Sequence, residues 1–216
     1  MHIQFLIEDM SGEVLIRHVM GKLLIGNGSV TYDCKAFKGI GGFKKNIAAT
    51  NVKTNKLLND LGIYLKGFEK SLQNIEASIV IVLDNDQRNI DEFRDELHRR
   101  ALWAMISIDH VFCIAVEEME AWLLGDRTAL FEAYPNARES AFREYEQDSI
   151  CGTWEVLANV VYKGGLKKFK KDCPSYGEIG KYKSKWADEI GKYMNIDNNI
   201  SPSFNYFLSQ IRMRIK

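Results

Sequence analysis

Three short apolar runs of this chain each end in carboxylates. Ile3 to Ile7 stops at Glu8 and Asp9, Ser78 to Leu83 stops at Asp84-Asn85-Asp86, and Val111 to Val116 stops at Glu117 and Glu118. A single acid after a strand often does no more than cap a helix or shape a turn, because its oxygens accept hydrogen bonds from free backbone N–H groups. Three such endings in one chain point further. If the runs are neighbouring strands, four or five carboxylates converge, and their repulsion forces some of them to take up protons. A hard divalent cation relieves that conflict, since Mg2+ and Mn2+ prefer oxygen ligands and keep several waters. A cation held this way can polarise a phosphoryl oxygen and orient an in-line attack.

The elements that must position these acids are legible in the apolar pattern. Ser78 to Leu83 (SIVIVL) is continuous, β-branched and apolar, as a central parallel strand covered on both faces has to be. Ile3 to Ile7 and Val111 to Val116 read as buried strands of the same kind, and a further strand is predicted near Tyr32 to Phe37. Between them fall helical periodicities. Ser11 to Leu24 carries Val14, Leu15, Val19, Leu23 and Leu24 in one stripe, with Ser11 or Asp9 as its cap. Lys53 to Leu72 is predicted helical in spite of Gly62 and Gly67, and Ile90 to Trp103 places Ile90, Phe93, Leu97 and Ala101 on one face. Another helix starts at Met119. Strands alternating with helices predict an α/β fold, a Rossmann-like parallel sheet with right-handed crossovers and ligands at the carboxyl ends of its strands. From residue 127 onward strand-like runs cease. The expected organisation is an α/β core over residues 1–126, with a mostly helical, basic and aromatic extension over 127–216 packed on it.

Composition narrows the class. A chain of 216 residues can bury roughly 70% of its unfolded surface without a staple. Its 29 basic and 29 acidic residues give a formal net charge of zero, against a globally basic nucleic-acid binder but compatible with a local basic face. Such a face is suggested by Lys163, Lys167, Lys168, Lys170 and Lys171, interleaved with Tyr162 and Phe169, and then by Lys181, Lys183 and Lys185 beside Tyr182 and Trp186. Lysines can follow a phosphate backbone while aromatic rings stack on bases; the plainer reading is a solvated helix face. Gly164-Gly165, and Gly39, Gly41 and Gly42 among Lys38, Lys44 and Lys45, match neither the P-loop nor the dinucleotide fingerprint, and no nucleotide site is assigned. Cys34, Cys113, Cys151 and Cys173 are scattered, form no C-x-x-C pair, and read as reduced thiols. No apolar run reaches the twenty or so residues of a membrane span, and the apolar start at Ile3 is too short for a signal peptide, so the expected location is the cytoplasm.

The segments IQFLIEDMSGEVLI and IVIVLDNDQ together resemble the Toprim signature, a hydrophobic strand ending in Glu and a later one ending in Asp-x-Asp. In that signature the Glu is commonly followed by Gly, where this chain has Asp9. The segment IAVEEMEAWLLGD, with Ser201-Pro202-Ser203-Phe204 near the C-terminus, resembles a Toprim-like family of unknown function marked by an acid-Ala-Trp-Leu-x-x-Asp element, here Glu120 to Asp126. The resemblance implies a general acid/base at Glu8 that can also complete the metal shell, metal ligands at Asp84 and Asp86, and a further ligand or supporting acid at Glu120, with Glu117, three residues away on the same side, as another candidate ligand. Glu118 is expected to face solvent. Trp122 reads as a core residue and Ser201-Pro202 as the start of the last helix. The implied activity is a Mg2+- or Mn2+-dependent nuclease acting on DNA or RNA. It would serve bacterial anti-phage defence beside an ABC- or SMC-type ATPase. The alternative is an interaction or sensor subunit that keeps the fold and lacks the activity. A primase-like or ligase-like phosphoryl transferase would need a nucleotide motif that the chain does not carry.

Overall fold

The computed structural model describes residues 1–42 and 55–216. Lys44, Lys45 and the expected helix start at Lys53 lie outside the described residues. The first part of the chain alternates β1 (His2–Ile7), α1 (Met10–Leu23), β2 (Thr31–Ala36), α2 (Leu57–Leu72), β3 (Ala77–Asp84), α3 (Ile90–Ala104) and β4 (Asp109–Ala115). The strands form one four-stranded, all-parallel sheet in the order β2-β1-β3-β4. The α/β class and the parallel sheet are those the apolar pattern predicts.

The strand order follows from the crossovers. The chain steps from β1 outward to β2, then returns past β1 to β3 and continues to β4. With right-handed crossovers, the first step puts its helix on one face and the later two put theirs on the other. The packing agrees. Ile3, Phe5, Ile7, Val80, Val82, Val111, Cys113 and Ala115 face α1, whereas Leu6, Ile79, Ile81, Leu83, Phe112 and Ile114 face α2 and α3. Successive side chains of β3 thus enter opposite cores, which explains why its sequence is apolar at every position. The reversal of direction falls between β1 and β3. This is the switch point where open α/β sheets leave a crevice at the carboxyl ends of their strands.

The remainder of the chain is helical: α4 (Glu120–Leu124), α5 (Arg127–Ala133), α6 (Glu139–Arg143), α7 (Thr153–Val161), α8 (Gly165–Asp172), α9 (Tyr176–Tyr193) and α10 (Pro202–Arg214). Helix α9 packs along α1 and α5, α8 along α7, and α10 against β4, so these helices join the core on the α1 face. Their ends carry explicit signals. Ser175 and Glu178 form a reciprocal capping box at α9, and Ser201 caps α10 with Pro202 in its first turn. Trp122 is fully buried, with its indole N–H donating to Ser203 Oγ at 2.9 Å, while Asn199 donates to the Trp122 carbonyl at 2.7 Å. The Glu120 to Asp126 element and the Ser-Pro-Ser-Phe element therefore meet in one buried network. Asp126 caps α5 through Ala129 N–H and also accepts from Asn195 N–H. All four cysteines are free, and among the described residues no helix is long and apolar enough to cross a membrane.

Candidate metal centre

Glu8 stands one residue beyond β1, where its N–H donates to Val82 O on the neighbouring β3 at 3.0 Å. This ties the end of β1 to the end of β3. Its carboxylate Oε2 then accepts the Asp84 backbone N–H at 3.0 Å, so the first and second acids of the expected set meet at the switch point. Asp9 does not join as a ligand. Its Oδ1 caps α1 by accepting Gly12 N–H at 2.8 Å, and it also accepts from Ser11 Oγ. Gly12 itself has no room for a larger residue, because a Cβ there would come 2.7 Å from both Ile7 Cγ2 and Met119 Sδ.

Asp84 is only 8% exposed, and its Oδ1 is buried without a hydrogen-bond partner. An unsatisfied carboxylate oxygen of this kind costs on the order of 1–3 kcal/mol or more, and calls for an explanation. Burial pushes the Asp84 carboxyl well above its ordinary range, and the neighbouring Glu8 adds to this. The Glu8 carboxyl is pushed up to about 7 by burial, reinforced by Asp86 and Asp9 and opposed by the Asp84 N–H. Asp86 lies at the mouth. Its backbone takes a left-handed turn at φ 49°, its N–H donates to Glu117 O, and its half-exposed carboxylate pairs with Arg88 at 2.6 Å. Asn85 braces this turn, accepting Glu117 N–H and donating to Arg88 O at 2.7 Å, and Asn89, not Asp86, caps α3.

The acids after β4 separate in three directions. Glu117 was expected beside Glu120 as a ligand; instead its carboxylate accepts the N–H groups of Cys151, Gly152 and Thr153 and the Thr153 hydroxyl. Although burial pushes its carboxyl up, the Thr153 hydroxyl and these N–H groups hold it below its ordinary range. Its lone pairs are occupied by the loop before α7. Glu118, expected in solvent, is half-buried, accepts Trp154 N–H at 3.1 Å, and has its carboxyl pushed up to about 7 by burial and by Glu120. Glu120 is 2% exposed and points back toward the crevice, where it and Asp84 feel one another.

A lysine from the basic run completes the group. Lys183, expected on the basic surface, turns inward from α9. Its Nζ lies 3.1 Å from Glu120 Oε2 and 3.4 Å from Glu118 Oε1, with the side chain 14% exposed. Burial alone would favour the neutral amine, but Glu120, Glu118, Asp84 and Asp9 hold the ammonium firmly protonated. The signal was present in the sequence. Ile179, Lys183, Trp186, Ala187 and Ile190 fall at the spacing of one helix face, so Lys183 occupies a place in an apolar stripe.

The remaining basic residues behave differently from their aromatic neighbours. Lys163, Lys167, Lys168, Lys170 and Lys171 are all exposed on or beside α8. Lys168 pairs with Asp172, Lys170 pairs with Glu155 and lies over the Trp154 ring, and Lys163, Lys167 and Lys171 enter no ion pair among the described residues. Two of the four rings expected to stack on bases are inside the core, and the other two are half-buried. Phe169 and Trp186 are fully buried and pack with Tyr162 and Tyr182 edge-on or tilted.

Among the described residues no three His, Cys, Asp or Glu side chains form a ready-made metal cage. Mg2+ does not demand one, being held through one or two carboxylates while the rest of its octahedron is water and substrate phosphate. The donor set at the switch point is all oxygen, and the orphaned Oδ1 of Asp84 is a coordinating atom without a partner. These residues fit a small hard dication. Family models, curated proteins and solved structures compared with this chain give no match.

Proposed function

We propose that this chain is a Toprim-like phosphodiester nuclease dependent on Mg2+ or Mn2+, with Glu8 and Asp84 at its centre and Asp86 at its mouth. The observation that carries the reading is the buried meeting of Glu8 with Asp84 at the switch point, with Asp84 Oδ1 left unpaired. Asp84 and Glu8 would hold the ion, Asp86 would reach it on release from Arg88, and Glu120 would support them through Lys183. A bound dication polarises a phosphoryl oxygen and steadies the departing oxygen. The chain supplies the rest. Glu8 keeps its Oε2 fixed on the Asp84 N–H, which leaves its other oxygen as the acceptor that general acid/base work requires. It would take the proton of the attacking water as the phosphorus–oxygen bond to the leaving group breaks. The exposed lysines of α8 lie close by, since Trp154 both donates to Glu118 and carries Lys170 on its ring, and they would grip the flanking phosphates of DNA or RNA. The resemblance further supports a cytoplasmic effector of anti-phage defence that works with an ABC- or SMC-type ATPase.

The second reading is a Toprim-fold interaction or sensor subunit of such an ATPase complex, without catalysis. Lys183 favours it, because an internal ammonium already neutralises part of the acid group. Cleavage of plasmid, single-stranded DNA and RNA with Mg2+ or Mn2+ separates the two. The nuclease reading expects metal-dependent cleavage that falls at least about 100-fold in Glu8→Gln and Asp84→Asn, the scale of losing a general acid/base. Equal cleavage by those variants removes the proposed centre, and failure to bind either ion leaves the interaction subunit.

A further inference from the structure

Lys183 is placed as a cation, not as a surface lysine. It reaches the acids from the middle of α9, where Trp186, Ala187 and Ile190 are buried and fix the helix against the core. Its Nζ bridges Glu118 and Glu120, on the β4 side of the crevice, at 3.4 and 3.1 Å. The orphaned Asp84 Oδ1 and the Glu8 carboxylate lie on the β1–β3 side. The ammonium lies against Glu118 and Glu120 and its charge also reaches Asp84 and Glu8; Glu120 Oε2 has this ion pair as its contact, whereas Asp84 Oδ1 has no hydrogen-bond partner. Centres that use two metals set the ions roughly 3.5–4 Å apart, clamped by acids on both sides. A tethered ammonium in one of those positions excludes an ion there, since it offers only donors and carries the same sign of charge.

We propose that Lys183 is a built-in counter-cation filling the second cation position of this pocket, so that the centre takes up one divalent ion, at Glu8 and Asp84, instead of two. The inference rests on the reading of Glu8 and Asp84 as a metal centre. It assigns Glu118 and Glu120 to the lysine, and it makes Lys183 a positioning residue that sets metal stoichiometry. Removing the ammonium leaves the buried Glu120 carboxylate beside the half-buried Glu118 with no cation between them, and these would recruit a second dication. Arginine at 183 would keep the charge and so keep the single site.

The test is Mn2+ titration of the whole chain, followed by calorimetry and by the electron paramagnetic resonance of free Mn2+. The unsubstituted protein is expected to bind one ion, Lys183→Met two, and Lys183→Arg one. Two ions on the unsubstituted protein overturn the proposal and leave the nuclease reading standing. One ion on Lys183→Met, with unchanged affinity, also overturns it. No ion on any of the three instead sinks the metal centre itself. Circular dichroism checks that Lys183→Met is folded; if it is not, the stoichiometry of the unsubstituted protein decides alone, one ion supporting the proposal and two defeating it.

Discussion

Glu8 and Glu117 both follow buried strands, and their environments drive their carboxyl groups in opposite directions. Glu8 receives one backbone N–H and faces other acids, whereas Glu117 receives three backbone N–H groups and a hydroxyl. Glu117 is therefore an anchor for the loop before α7. Glu117→Gln keeps the size but removes the charge that several of these bonds assist, and it is expected to cost about 2–3 kcal/mol in urea unfolding at pH 7. The sign of the pH dependence follows from its lowered carboxyl. The stabilisation is complete above the unfolded carboxyl value of roughly 4.3 and is lost as pH falls through the lower folded value, so the difference between the two proteins should shrink steadily as the pH is lowered below that point. A constant difference across that range would mean that Glu117 stabilises by packing alone. At this scale the sequence revealed that acids end three strands, but not which of them would meet. The partners of Glu117 lie some 35 residues away at Cys151 to Thr153, and no local spacing announces them.

Helices α8 and α9 show what a basic, aromatic run becomes once it is folded. A lysine every few positions suits either a nucleic-acid face or a solvated one, and the helical period decides which side chains are exposed. Phe169 and Trp186 fall on the inward stripe and fill the core, Lys183 falls there too and meets acids, and the lysines of α8 remain outside. Packing takes Phe169 and Trp186 out of the stacking expectation, while Tyr162, Tyr182 and the lysines keep some or all of their surface. Two substitutions separate these roles. Lys167→Glu with Lys171→Glu, at exposed positions free of ion pairs among the described residues, should change stability by no more than about 1 kcal/mol in total. On the nuclease reading it should also weaken nucleic-acid binding and flatten its salt dependence by about one unit of slope per lysine in anisotropy titrations. Phe169→Ala should do the reverse, costing about 3–5 kcal/mol of stability by opening a cavity among four rings. Unchanged binding in the charge-reversed protein would remove α8 from the interface.

At the scale of the whole molecule, the parallel sheet was legible because β3 is apolar at every position and helices alternate with strands up to β4. A division at residue 126 is what the composition shift led one to expect, yet composition cannot say how the second part contributes to the first. In the folded chain that contribution is large. Helix α1 covers only part of its face of the sheet, and Phe204, Phe207 and Ile211 of α10 join the same core, with Phe207 set against both Phe5 and Trp122. At the far end Arg214 clasps Asp109 at the start of β4 with bonds of 2.7 and 3.1 Å. A chain ending at residue 126 would strip α10 from β4, uncovering apolar side chains of the α1-face core, and would lose Lys183, leaving Glu118 and Glu120 with no internal cation. Each large apolar side chain so exposed forfeits roughly 1.5–3 kcal/mol, and a small domain holds only about 5–15 kcal/mol in reserve. The fragment 1–126 is therefore expected to unfold without a cooperative transition and to bind a hydrophobic dye, whereas the full chain melts in one step. A fragment that melts cooperatively and still binds one Mn2+ would show instead that the sheet and its acids form a self-sufficient unit.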